Sequence, residues 1–259
     1  MSVPAPLVTA IDERLAPFRA DPRTVALILD FDGTLSPIVE DAASAVPHAE
    51  VPDLLARLRD RFGLVAVVSG RPVEFLLPLL PTGLVLAGLY GLELVVDGER
   101  RDHPQAGNWR EVVDDVAGRA EVRGPAGVVV ERKGLSLTLH YRSAPDQEAA
   151  TAAYAAEEAR RSGLVARPAR MSWELHPPIE VDKGTAVLEL VDDRRAVAFA
   201  GDDLGDLPAF DALDALDDRG VTTLRIAVDS PEAPLVLLDR ADVVVDGPDG
   251  LVTLLQALI

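Results

Sequence analysis

Two aspartates separated by one residue, Asp30 and Asp32, end an unbroken apolar run in Val25-Ala-Leu-Ile-Leu-Asp-Phe-Asp-Gly-Thr-Leu35. Carboxylates crowded beside a segment apolar enough to be buried repel each other unless a cation or a hydrogen-bond network holds them. Two more apolar runs end in polar groups. Leu64 to Val68 leads into Ser69-Gly70-Arg71, and Ala196 to Ala200 leads into Gly201-Asp202-Asp203. No Cys or His is among these groups, and oxygen-only ligation selects a hard cation, Mg²⁺ in preference to zinc. The plain alternative is turn chemistry, which suffices for one Asp-Gly pair. Three acidic or hydroxyl ends at equivalent positions go beyond it. A calcium loop fails on spacing: counted from Asp30, Gly33 falls fourth instead of sixth, where Leu35 stands. The P-loop pattern is absent.

A second signal is the choice of cation. Of the 25 basic residues only two, Lys133 and Lys183, are lysines. Arg is a broad planar fork and Lys a compact point charge, so in a chain that writes Arg almost everywhere each Lys marks a place that needs the smaller group.

The elements that must position these residues follow from periodicity. Short all-apolar segments at 25–30, 64–69, 196–203, 224–228 and 241–246 alternate with helical patterns at 50–61, after Pro72, from about Lys183, and after each later strand. This predicts an α/β fold, a Rossmann-like parallel sheet covered on both faces. Ligands of such sheets bind beyond the carboxyl ends of the strands. Residues 97–178 read differently. Leu135-Ser-Leu-Thr-Leu-His-Tyr-Arg142 alternates strictly, as does Arg170-Met-Ser-Trp-Glu-Leu-His176. Period two predicts strands with one covered and one wet face. Residues 128–139 suggest a hairpin around Lys133-Gly134, and 147–162 a helix to cover the apolar face. The expected organisation is a core of 1–96 and 179–259 interrupted by a smaller α+β insert at 97–178.

Asp-Phe-Asp-Gly-Thr-Leu, Val-Val-Ser-Gly-Arg-Pro, Asp-Lys-Gly and Gly-Asp-Asp, in this order, resemble the four signature motifs of the haloacid dehalogenase-like phosphatases. Residues 87–94, 130–142 and 173–187 are similar to segments of the trehalose-6-phosphate phosphatases. The resemblance implies that Asp30 is a nucleophile forming an aspartyl-phosphate, and that Asp32 protonates the leaving sugar oxygen and then activates water. It implies Mg²⁺ held by the Asp30 carboxylate, the Asp32 carbonyl and Asp202, with Asp203 and Asp206 orienting the metal. Ser69 and Lys183 would bind the phosphoryl oxygens. The insert would be a cap closing over the sugar, with Glu131, Arg170 and Glu174 where the family carries a Glu-Lys-Glu set. An exposed Arg–Glu face is the bland alternative. Arg71 is either a phosphate contact or part of a structural ion pair. The four histidines are expected at the surface or in packing.

Three segments depart from the family pattern: Arg170 replaces Lys, Gly88-Leu89-Tyr90-Gly91 replaces Gly-Asn-His-Gly, and Gly205 and Leu207 replace Thr and Glu after Gly201-Asp202-Asp203. The expected activity is Mg²⁺-dependent hydrolysis of trehalose 6-phosphate. The alternatives are another disaccharide or pseudo-disaccharide phosphate or a non-catalytic sugar-phosphate-binding subunit, and trehalose-6-phosphate synthase is the protein partner implied.

Composition sets the outer limits. A net charge of −18 argues against a nucleic-acid partner, whose phosphates require Lys and Arg. With no cysteine, disulfide and thiolate chemistry are excluded. The nearly apolar run from Gly83 to Val96 contains Glu93 and is too short to cross a bilayer. The first residues lack a basic stretch followed by an apolar one, so a cytoplasmic location is expected.

Overall fold

The computed structural model describes residues 5–39, 41–169, 171–230 and 233–259, and the side chains of 5–10 and 42 lie outside the description. Contacts divide the chain into two units, Met1–Arg100 with Val181–Ile259, and Arg101–Glu180.

The chain enters with helix α1 (Ala5–Ala20) and strand β1 (Val25–Leu29), then α2 (Val51–Arg61), β2 (Leu64–Val68), a single helical turn α3 (Val73–Leu76), β3 (Val85–Gly88), β4 (Glu93–Val96) and β5 (Glu99–Asp102). The smaller unit follows with α4 (Arg110–Arg123), β6 (Val129–Arg132), β7 (Leu137–His140), α5 (Glu148–Ser162), β8 (Val165–Ala169) and β9 (Ser172–His176). The larger unit resumes with α6 (Lys183–Leu190), β10 (Ala196–Gly201), α7 (Leu207–Asp217), β11 (Thr222–Asp229), α8 (Leu235–Arg240), β12 (Val243–Asp246) and α9 (Gly247–Gln256).

The larger sheet runs in the order β12-β11-β10-β1-β2-β3-β4-β5 and is parallel from β12 to β3. Alternate residues of each strand bury opposite sides, which is why the strands read as all apolar. Leu27, Leu29, Val65, Val67 and Ile226 pack with α1, α2 and α9, among them Phe18, Leu55 and Leu255. Ala26, Ile28, Val68, Val197 and Phe199 pack with α6, α7 and α8, among them Val187, Phe210 and Leu237. From β1 the chain winds one way through β2 and β3, and from β10 the other way through β11 and β12. That reversal puts a crevice beyond the ends of β1 and β10.

Several elements were not anticipated by periodicity. The run from Gly83 to Val96 divides into β3 and antiparallel β4 around a tight turn at Leu89–Gly91. Its one charge, Glu93, is buried but bonded, accepting from the Val73 N–H (2.9 Å) and the Arg100 guanidinium (2.7 Å). Helix α1 and strand β8 also lack a clear pattern. No helix among the described residues is long and apolar enough to cross a membrane.

In the smaller unit an antiparallel sheet, β6-β7-β9-β8, puts Leu137, Leu139 and Leu175 against Val113, Val116 and Ala117 of α4 and Ala155 of α5. The other face was expected to be wet. It is polar but largely buried: Ser136, Thr138, Ser172, Glu174 and His176 are each at most 6% exposed. Ser136 and Glu174 tolerate that burial by bonding to each other at 2.9 Å.

Helix α6 starts with a reciprocal cap. Asp182 accepts from the Thr185 N–H (2.7 Å) while the Thr185 hydroxyl accepts from the Asp182 N–H (2.8 Å). Asp182→Ala should therefore cost about 1 kcal/mol in urea unfolding, with Asp182→Asn recovering most of it. Equal losses in the two variants would show that charge, not the cap, is what matters there.

Candidate active site

The parallel register brings three chemistry-bearing strand ends side by side. β1 lies between β10 and β2, so Asp30, Asp202 and Ser69 emerge at one edge of the sheet. Asp30 is anchored by its own backbone, whose N–H donates to the Ala200 carbonyl at 2.9 Å. From α6 comes Lys183, buried, with Nζ at 2.7 Å from Asp30 Oδ1 and 2.6 Å from Asp206 Oδ1.

One carboxylate oxygen from each of Asp30, Asp202 and Asp206 lies within 4.8 Å of the other two. Thr34 bridges the cluster, its hydroxyl 3.2 Å from Asp202 Oδ1 and 3.4 Å from Asp30 Oδ2. Two glycines leave room for it. A Cβ on Gly33, which has φ +80°, would fall 2.0 Å from Asp202 Oδ2, and one on Gly201 would fall 2.2 Å from Asp206 Cγ. Any side chain at these positions would displace the acids.

Burial and mutual repulsion push these acids toward their neutral forms. Asp202 is raised to about 7, first by burial and then by Asp206 and Asp203. Burial also raises Asp30, against the pull of Lys183. For Lys183 burial acts downward, but Asp206 and Asp30 outweigh it and hold the ammonium charged. Three carboxylates thus surround one cation. With all of them ionised the cluster carries an excess of two negative charges, which a divalent ion would offset.

The donor set fits such an ion: oxygen only, concentrated, and short of positive charge. The three acids are not equivalent, however. Asp206 spends Oδ1 on Lys183 and Oδ2 on the N–H groups of Asp202 (2.9 Å) and Asp203 (3.0 Å). It fixes the turn and the ammonium. Asp30 and Asp202 are left with the capacity to hold a metal. Asp203 is exposed and accepts from the Gly205 N–H at 2.8 Å, capping the short turn that carries Asp206.

Asp32 does not share the cluster. Strand β1 ends at Leu29, before period two can carry both aspartates to one side. The Asp32 carboxylate is instead gripped by Arg71, with Nε–Oδ2 and Nη2–Oδ1 both 2.7 Å. This is the ion-pair alternative for Arg71, whose guanidinium also lies over the Phe75 ring at 4.4 Å. Ser69 is buried at the end of β2, its Oγ accepting from the Arg71 N–H at 3.1 Å.

On the polar face of the smaller sheet, Glu131 and Glu174 come together around Lys133, whose Nζ is 3.8 Å from Glu131 and 3.9 Å from Glu174. Arg170 lies outside the described residues. A lysine that the described residues do place between the two glutamates is Lys133, two residues after Glu131. The scarcity of lysine had marked it, but its place in a turn hid its partner across the sheet. The Ser136 hydroxyl donates to Glu174 at 2.9 Å, and His140 Nε2 lies 2.7 Å from Glu131.

Comparison with known proteins shows the family of the chain. The family described as trehalose-phosphatase matches residues 28–235. A trehalose-phosphate phosphatase of Mycolicibacterium paratuberculosis is 34% identical over 214 residues, which cover 78% of this chain and 54% of that protein. This chain thus spans about half the length of such relatives. Among solved structures, a trehalose-6-phosphate phosphatase related protein superposes with a TM-score of 0.76 at 26% identity, covering 89% of this chain and 95% of that one. A haloacid dehalogenase-like hydrolase from Bacteroides thetaiotaomicron shares the fold, with a TM-score of 0.66 at 15% identity over 90% and 99% of the two chains. The chain belongs to the trehalose-phosphatase family.

Proposed function

We propose that this chain is a Mg²⁺-dependent phosphatase that hydrolyses trehalose 6-phosphate to trehalose and phosphate. One arrangement carries the reading: Asp30, pinned by Lys183 beside Asp202, in a chain of this family. Asp30 and Asp202, with the Asp32 backbone carbonyl, would hold the metal, which when bound would supply positive charge against the phosphoryl oxygens. Lys183 and Ser69 bind those same oxygens, and Asp206 and Asp203 keep the turn and the ammonium in place.

In the first half-reaction an Asp30 oxygen attacks phosphorus, the bond from phosphorus to the sugar oxygen breaks, and Asp32 gives that oxygen its proton. In the second, water attacks the aspartyl-phosphate while Asp32 takes up a proton, freeing phosphate and regenerating Asp30. Both oxygens of the Asp32 carboxylate are engaged by Arg71. The reaction therefore requires Asp32 to exchange an Arg71 contact for the leaving oxygen. The smaller unit supplies the sugar contacts through Glu131, Lys133 and Glu174, and trehalose-6-phosphate synthase is the partner proposed. The intact nucleophile, acid, lysine and metal-binding aspartate weigh against a subunit that only binds.

The substrate is tested by comparing phosphate release from trehalose 6-phosphate, sucrose 6-phosphate and glucose 6-phosphate. A preference for either of the latter would replace the assignment. Asp30→Asn should reduce kcat on the order of 10⁴-fold or more, and Asp32→Asn by about 10²–10⁴-fold, with folding intact by circular dichroism. Substantial turnover by Asp30→Asn would falsify the nucleophile. Chelation should abolish release, and added Mg²⁺ should restore it.

Metal affinity should also depend on pH. The folded carboxyl of Asp202 is raised to about 7, so below that value a metal must displace a proton. Affinity should rise by up to about tenfold per pH unit through the acidic range and level off above about pH 8. The same shift means that the metal-free fold loses stability as pH climbs through about 7, where the buried acid ionises. Thermal unfolding at pH 6 and pH 8, with and without Mg²⁺, should show the larger metal-induced rise at pH 8. Equal rises would contradict the linkage.

A further inference from the structure

The polar face of the smaller sheet carries two buried polar atoms with no hydrogen-bond partner among the described residues, Thr138 Oγ1 and His176 Nε2. Thr138 is 3% exposed and His176 6%. Thr138 of β7 pairs with Glu174 of β9, and His176 stands two residues beyond Glu174, so the three share a face. Ser136 belongs to the same face, as its bond to Glu174 shows. Buried polar groups that go unmatched are costly, and natural folds retain few of them without a reason.

The chemistry of the two atoms narrows what they receive. His176 Nδ1 lies 2.8 Å from the Pro177 carbonyl. A carbonyl only accepts, so Nδ1 carries the proton and Nε2 is a bare acceptor. Burial and then Arg167 hold the ring below its ordinary pKa, in keeping with a neutral imidazole. Nε2 therefore requires a donor, whereas the threonine hydroxyl either donates or accepts. A phosphate dianion offers no proton to Nε2 and is repelled by Glu131 and Glu174. A hydroxyl group suits both atoms, and a sugar ring presents several.

We propose that Thr138 and His176 bind hydroxyls of the sugar beside the Glu131–Lys133–Glu174 group and help to set which sugar is accepted. The inference rests on the sugar-phosphate reading above and adds to it two residues that the sequence did not mark as ligands.

The test uses the full chain, with trehalose 6-phosphate and p-nitrophenyl phosphate, a monoester without sugar. Thr138→Val replaces the hydroxyl by a methyl of similar shape. His176→Asn keeps a donor near Nδ1 and deletes Nε2. Each variant should raise KM for trehalose 6-phosphate about tenfold, the value of one lost hydrogen bond, and leave kcat within about twofold. Turnover of p-nitrophenyl phosphate should not change. Thr138→Val should unfold at the same or a higher temperature, because it removes an unmatched group. If KM is unchanged in both variants, or if Tm falls in step with the rise in KM, the inference is overturned. A wild-type chain that cleaves p-nitrophenyl phosphate but not trehalose 6-phosphate would overturn the substrate reading and this inference together. An active wild type with unaffected variants would overturn the inference alone.

Discussion

A buried ammonium between two buried carboxylates is the constraint from which the larger unit is organised. Lys183 lies 2.7 Å from Asp30 and 2.6 Å from Asp206. Each of the three belongs to a different element, and each element is held in a way that serves the contact. β1 is fixed between β10 and β2, α6 begins with a reciprocal cap one residue before Lys183, and Asp206 bonds two backbone N–H groups of its own turn. Breaking such a group leaves uncompensated charge in a dry place, which costs far more than the intact group contributes. The requirement explains why polar residues so unfavourable to bury stand at the ends of the most apolar strands of the chain.

The two lysines express one rule at two strengths. Both stand between a pair of carboxylates, Lys183 in hydrogen-bond contact and Lys133 at 3.8 and 3.9 Å from its partners. An ammonium fits between two acids as a point charge, whereas the broad guanidinium fork is better used edge-on, as Arg71 uses it against Asp32. The tight contact commits two of the three Lys183 donors to holding the acids together. The loose one leaves those of Lys133 available to hydroxyl groups lying against both glutamates.

Much of this was legible in the sequence because it depends on local period. The runs ending at Asp30, Ser69 and Gly201 announce buried parallel strands, and such strands place their ends together whatever the loops do. The helical pattern of 147–162 and the alternation of 135–142 and 170–176 were equally plain, and the structure has α5, β7 and β9 within them. What stayed hidden depends on partners distant in sequence. Nothing in Gly83–Val96 marks a turn with Leu89 and Tyr90 both at positive φ, because that conformation is imposed by bonds to Arg71 and Ser69. The burial of the polar face of β7 and β9 was not legible either, since alternation tells which residues share a face but not whether water reaches it. For the same reason the approach of Lys133, in the turn after β6, to both Glu131 and Glu174 was not visible in the sequence.

The opening motif finally separates into two environments. Asp30 is 3% exposed and fixed by Lys183 and Thr34, whereas the Asp32 side chain is 42% exposed and held by Arg71. The division arises from one backbone event, the end of β1 at Leu29, after which Phe31 turns inward and Asp32 bridges to Ser36. Had the strand continued, both acids would enter one cluster and compete for one lysine. Ending it gives two carboxylates two residues apart different surroundings, the arrangement by which one short segment can provide both an attacking group and a proton carrier. The glycine that follows is bound to the same event: only without a Cβ can Gly33 turn back past the Asp202 carboxylate. Asp-Phe-Asp-Gly is therefore a chain reversal as much as a pair of acids, and its chemistry depends on where the strand stops.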